Sequence, residues 1–206
     1  MAEESLFDKL QATAYKRRIP AQTKASRRWF ADKAKGLRVS SAQLLGDPAL
    51  KTTVKPGPDR FPAIRGRMFT YLYNPKHKDT LPYYDRFPLV IMVGPAQKGF
   101  YGVNLHYLPL ALRVKFLDSL MTITNNDRFD ESTRFRLNYG ILSKFSKLRY
   151  FKPCYKHYLS NHIQSRVKSI EASEWEVAAF LPTAKFRKAS AGAVHKDSRR
   201  LIGVQG

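Results

Sequence analysis

The sequence predicts an α+β protein: a small antiparallel β-sheet or partly open barrel followed by packed helices, with an extended helical N-terminal arm. Three observations carry this prediction. Short aromatic-rich runs punctuated by Gly and Pro fill residues 66–105. Apolar residues at helical spacing take over from Pro109 onward. A segment holding Pro48, Pro56, Gly57, Pro58 and Pro62 separates both from two amphipathic stretches at the N-terminus.

Taken in order, Ser5–Arg18 reads as a helix with Leu6, Leu10 and Ala14 on one face, Ser5 and Asp8 resembling an N-terminal cap, and Pro20 as its stop. Gln22–Lys35 is a second helix, closed by Gly36. Asp47–Pro62 reads as a linker, which makes residues 1–60 an arm, 61–184 the α+β core and 185–206 a basic tail. Met68–Tyr73, Phe87–Val93 and Phe100–Leu105 are expected strands, with turns at Asn74-Pro75 and Gly94-Pro95.

Pro109 opens a helix with Leu110, Val114, Leu117 and Met121 inward and Arg113, Lys115 and Asp118 outward. Helices are also expected over Glu131–Leu148 and Cys154–Ile170. Ser173 and Glu176 form a capping box for a short helix that Pro182 stops. The tail from Lys185 to Gly206 reads as irregular.

Charge bounds the function more than the fold. Lys and Arg outnumber Asp and Glu by 37 to 16 in 206 residues, a net charge of +21. The excess gathers at the ends: ten cations against four acids from Met1 to Arg38, and fifteen against four from Arg134 to Arg200. Such self-repulsion calls for an anionic partner, and nucleic acid leads the candidates. An apolar fraction of 43% and an aromatic fraction of 13% exceed what a disordered basic tail would carry. A single cysteine, Cys154, leaves no internal disulfide. The longest apolar run, Leu89–Val93, is far short of a membrane span, and the start carries no signal-peptide pattern, so a soluble protein is expected.

Two clusters interleave cations with aromatics: Arg27-Arg28-Trp29-Phe30 and Arg149-Tyr150-Phe151-Lys152. Such clusters neutralise phosphates while a ring stacks on a base, or else bury the rings and leave the cations as a solvated rim; the burial reading is preferred. The expected nucleic-acid or partner contacts are Arg27, Arg28, Trp29, Lys33 and Lys35 in the arm, and Arg149, Lys152, Lys156, Arg166 and Lys168 in the second half.

Catalytic and metal readings are weaker. Cys154, His157 and His162 would spread around a helix too widely to share one metal. Asp127, Asp130 and Glu131 form an acidic group of the kind a metal-dependent nuclease uses, read instead as first-turn residues. Asp85 and His106 are a candidate acid–base pair, although His106 lies between Leu105 and Tyr107 and reads as structural. No phosphate-cradling loop, dinucleotide fingerprint or nucleophile elbow occurs. The expectation is a non-enzyme with no cofactor and no metal.

Leu81-Pro-Tyr-Tyr-Asp-Arg-Phe-Pro-Leu-Val90, followed by Gly99-Phe-Tyr-Gly-Val-Asn-Leu-His-Tyr-Leu-Pro109, resembles a block in basic proteins of T-even-like contractile-tailed bacteriophages. The similarity continues through Pro153–Leu159 and Glu174–Pro182, covers roughly residues 66–198, and leaves the arm outside. It implies a virion or DNA-handling context and transfers no catalytic residue. The resulting expectation is a structural component of a tailed-phage virion, in its tail, baseplate or neck. Basic arms would hold other virion proteins or packaged DNA, in multiple copies, with the host cytoplasm as the site of assembly. The alternative is a nucleic-acid-binding accessory protein such as a protector of DNA ends.

Overall fold

A computed structural model describes residues 6–20, 23–36, 66–124, 151–170 and 174–203. Among them a five-stranded antiparallel sheet carries the fold, in the order β5-β4-β3-β1-β6, and it does not close into a barrel. Its strands are β1 (Met68–Thr70), β3 (Leu89–Ala96), β4 (Gly99–Asn104), β5 (Tyr155–Leu159) and β6 (Lys168–Ile170). A two-stranded ribbon pairs β2 (Tyr84–Asp85) with β7 (Phe186–Arg187). The helices are α1 (Leu6–Lys16), α2 (Lys24–Gly36), α3 (Leu110–Thr124), α4 (Trp175–Phe180) and α5 (Ala191–Ile202). The α+β class stands.

Alternation along the strands builds two apolar layers. Met68, Leu89, Ile91, Val93 and Val103 face the helices and join Phe116, Leu117, Leu120, Val177, Phe180 and Val194 in the main core. Phe69, Tyr71, Val90, Met92, Phe100 and Tyr158 form a second, aromatic cluster. Tyr71 sits at its centre, edge-on to Tyr73, Phe100 and Tyr158 at 5.7–6.2 Å between ring centroids. The helices from the segment read as an arm place Ala14 and Phe30 in the main core. Thr23 and Ser26 cap α2 reciprocally: the Ser26 N–H donates to the Thr23 hydroxyl (3.1 Å) and the Thr23 N–H to the Ser26 hydroxyl (2.9 Å). The Ser26 hydroxyl donates in turn to buried Glu176 on α4 at 2.8 Å.

Several expectations are corrected. Cys154–Ile170 is not a helix but β5, a 3₁₀ turn (Ser160–His162) and β6. Tyr155, Leu159 and Ile163 fit a helical stripe, yet β4 satisfies the backbone of this segment through five paired positions, Gly99↔Leu159 to Val103↔Tyr155. Gly94-Pro95 is not a turn; it continues β3 past a bulge between Met92 and Gly94, and the chain reverses at Gln97-Lys98, where Lys98 takes φ 58°.

The α3 stripe is rotated from the expected one. Arg113, Phe116, Leu117 and Leu120 are buried, whereas Leu110 is exposed. Arg113 donates from its guanidinium to the Ala179 and Leu108 carbonyls, tying α3 to α4. Burial lowers its pKa to about 10. In so apolar a helix, periodicity alone leaves the orientation undetermined. The supposedly irregular tail holds β7 and α5, with the Ser190 hydroxyl accepting from the Ala193 N–H (3.2 Å) and Gly203 at φ 81° closing the helix. Glu131–Leu148, the linker over Asp47–Pro62, and the capping residues Ser5 and Ser173 lie outside the described residues.

Close approach, not positive φ, explains Gly99. A Cβ there would fall 1.8 Å from the Tyr158 carbonyl oxygen, whereas one at Gly94 would meet nothing within 4 Å. Gly99→Ala is therefore expected to separate β4 from β5 and lower stability by about 1–3 kcal/mol, with Gly94→Ala close to neutral. Chemical denaturation of the two variants beside the parent checks this contrast.

Candidate nucleic-acid interface

Among the described residues a dense polar constellation is built around Asp85, which is 3% exposed. One carboxylate oxygen lies 2.7 Å from His106 Nδ1 and accepts from Asn104 Nδ2 at 3.2 Å. The other accepts the backbone N–H groups of Phe87 (2.9 Å) and Lys185 (3.1 Å). His106 Nε2 meets the Thr183 hydroxyl at 3.2 Å, and the His106 carbonyl accepts from His195 Nε2 on α5 at 2.9 Å. The Asp85 carboxylate thereby binds the ribbon, the end of β4 and the segment after α4, and the His106 carbonyl adds α5. The Asp85–His106 pair foreseen in the sequence exists, with every ring nitrogen and carboxylate oxygen of the pair engaged in holding the structure. This supports the structural reading of His106 over general acid–base chemistry.

Asp85 also lines an open cleft of about 530 Å³. Tyr73, Tyr83, Tyr84, Tyr107 and Tyr158 line it, and Lys76, His77, Lys98 and His157 stand exposed around it. Most of these tyrosines are fixed. The Tyr73 hydroxyl accepts from the Leu159 N–H (3.1 Å), and the Tyr83 hydroxyl donates to Asp197 (2.5 Å). Burial, followed by that hydrogen bond, raises the Tyr83 pKa to about 12, so the phenol stays protonated at neutral pH. The Tyr73 and Tyr158 rings meet edge-on at 5.0 Å, and Lys156 Nζ lies 4.4 Å from the Tyr107 ring centroid. Burial lowers the pKa of Lys156, opposed by Cys154 and Asp197.

Tyr84 differs from its neighbours. It is half-buried, and among the described residues its ring meets no other aromatic ring and its hydroxyl has no hydrogen-bond partner. Arg187, exposed, lies directly opposite it across the ribbon, so the two side chains share a face.

The cations singled out in the sequence separate into distinct environments. Arg28, Lys33, Lys152 and Arg166 are exposed, and Lys35 is exposed but bonded to Asp32 at 2.9 Å. Lys33 Nζ sits 5.9 Å from the centroid of Trp29, whose ring packs edge-on against Phe30 at 5.0 Å. Arg27 is buried 3.9 Å from Glu176. Lys168 is buried on β6, and Arg149 lies outside the described residues, as do Asp127, Asp130 and Glu131.

Cys154, His157 and His162 are engaged separately. The buried Cys154 thiol donates to the Phe151 carbonyl (3.2 Å), with burial raising its pKa to about 12. The imidazoles of His157 and His162 contact the Gln97 and Asn74 carbonyls at 3.0 and 2.8 Å. Lys76, His77 and Lys98 escaped the sequence reading because they come from two turns that only the fold brings together. Tyr83 and Tyr84 stand in the distinctive Leu81–Val90 block, which is the signal that could have located the cleft.

Burial alone would raise the Asp85 pKa, but the neighbouring His106, its hydrogen bond and the two backbone N–H donors outweigh it and hold the carboxyl below its ordinary value. The stability this supplies is fully present above the unfolded-state value of about 3.9 and is lost as pH falls through the lower folded value. Asp85→Asn is expected to flatten the loss of stability below about pH 4. Asp85→Ala, which strands the buried donors, is expected to cost about 3–5 kcal/mol at neutral pH. Denaturant midpoints measured across pH 2–7 test both.

No curated protein and no solved structure matches the chain. A family model described as phage T4 terminal DNA protecting protein matches residues 11–196. That span takes in nearly all of the sequence block whose resemblance to T-even-like phage proteins was noted, and it reaches back into α1 and α2. The chain belongs to the phage T4 terminal DNA protecting protein family.

Proposed function

We propose that this protein binds phage DNA and covers its ends, shielding them from exonucleases. The observation that carries this reading is the family match over residues 11–196 of 206. It favours the accessory DNA-end role over the tail, neck or baseplate role considered from the sequence. The net charge of +21 suits a polyphosphate partner. The exposed Arg28, Lys33, Lys152 and Arg166 are available to phosphates, whereas Arg27 and Lys168 are withdrawn into the fold.

Protection of this kind needs no bond-making step. A protein seated on a terminus excludes an exonuclease by volume, and phosphate contacts supply the affinity while the fold fixes its orientation. The places of action are the packaged genome and the infected cell, with DNA as the partner at each end.

Binding of the full chain to a blunt duplex is expected to weaken with salt by roughly 0.9 log unit per log unit of salt for each phosphate neutralised. A linear duplex should survive exonuclease in proportion to its occupancy, and a covalently closed circle should compete poorly. Equal competition by the circle, or digestion unaffected by saturating protein, would contradict end protection. Arg28→Gln and Arg166→Gln are each expected to reduce the salt slope by about one.

A further inference from the structure

We propose that the cleft beside Asp85 receives a single unpaired nucleotide at a DNA terminus, its base against Tyr84 and its phosphate beside Lys76 and Lys98, with Arg187 on the same face as Tyr84. This inference rests on the DNA-end reading and names the part of the protein that would recognise the end.

Three features point to such a ligand. The first is size: a cleft of about 530 Å³ falls within the range of sites that hold a small organic group such as one nucleotide. The second is unused recognition capacity. Tyr84 is partly exposed, and among the described residues its ring meets no other ring or cation and its hydroxyl has no hydrogen-bond partner, in a wall where Tyr73, Tyr83, Tyr107 and Tyr158 are each held by a ring, cation or hydrogen bond. The third is charge. Lys76, His77 and Lys98 stand exposed around the opening, and Arg187 shares the face of Tyr84. Asp85 is the cleft's carboxylate, and its oxygens are already occupied by His106, Asn104 and two backbone N–H groups.

An aromatic face beside cations is the chemistry by which proteins hold single-stranded nucleic acid: the base stacks and the phosphate is neutralised, with little dependence on sequence. The terminal pair of a duplex is the cheapest source of such a base, because it is stacked on one side only and unpaired bases are extruded at least cost. A pocket for one unpaired nucleotide would therefore discriminate an end from an interior, which phosphate contacts alone do not.

The test measures affinity of the full-length protein for three duplexes alike except at their ends: a terminal mismatch, a blunt pair, and a terminal pair locked by an interstrand cross-link. The mismatched end is expected to bind about tenfold tighter than the locked end. Tyr84→Ala should abolish that difference, Tyr84→Phe should keep it, and neither should change the weaker binding to a dumbbell with both ends closed. Equal affinity for mismatched and locked ends, or a preference that survives Tyr84→Ala, would overturn the proposal while leaving end binding intact. Open ends bound no better than the dumbbell would instead overturn the end-protection reading beneath it. Competition by a free deoxynucleoside monophosphate as effective as that by a DNA end would assign the cleft to small nucleotides and likewise overturn the proposal.

Discussion

A buried carboxylate sets the arrangement on which the rest of this protein depends. Asp85 takes bonds from a histidine, an amide and two backbone N–H groups, and those donors come from parts of the chain up to a hundred residues apart. A carboxylate out of water is costly to leave unpaired, so only the arrangement that satisfies all its oxygens is stable. That requirement fixes the β2–β7 ribbon against the end of β4 and, through the His106 carbonyl, positions α5. The hydrophobic layers supply the bulk of the driving force, but apolar contact is non-directional. The Asp85 cluster specifies which surfaces meet.

The use of charge follows the same division. Arg113 and Arg27 are drawn inside, where one bonds carbonyls across the α3–α4 contact and the other approaches Glu176. Arg suits such sites because its planar, weakly hydrated guanidinium tolerates burial better than an ammonium. At the cleft, Lys76 and Lys98 remain in water, whereas Lys156 is half-buried against Tyr107. With so large a net charge, bringing phosphates to that surface relieves repulsion as well as forming contacts.

Much of the sheet was legible in the sequence because Leu89–Val93 and Phe100–Leu105 combine β-branched or aromatic residues with nearby reversal signals. The same grammar failed in Tyr155–Ile170, where apolar residues at i, i+4 and i+8 share one face of a helix and of a strand alike, and only pairing with β4 decides between the two. Arg113 was misplaced because its charge suggested solvent, while the carbonyls that receive it come from residues 108 and 179. The tail's helix carried readable signs in Ser190, Val194, Ser198 and Gly203, overshadowed by its basic, small-residue composition. For the site, Asp85, His106 and the paired tyrosines lie in one distinctive block. Lys76, His77, Lys98 and Arg187 acquire meaning only once the ribbon and two turns converge.

Photocross-linking tests most directly whether a phage DNA end sits in the proposed cleft beside Asp85. A duplex carrying a photoreactive base at its terminal position would be irradiated with the full-length protein and the adducts located by peptide mass spectrometry. The account predicts adducts in the peptide containing Tyr83 and Tyr84, absent when the same base is placed at the centre of the duplex. Adducts confined to α1 and α2, or equal yields from terminal and central positions, would contradict it.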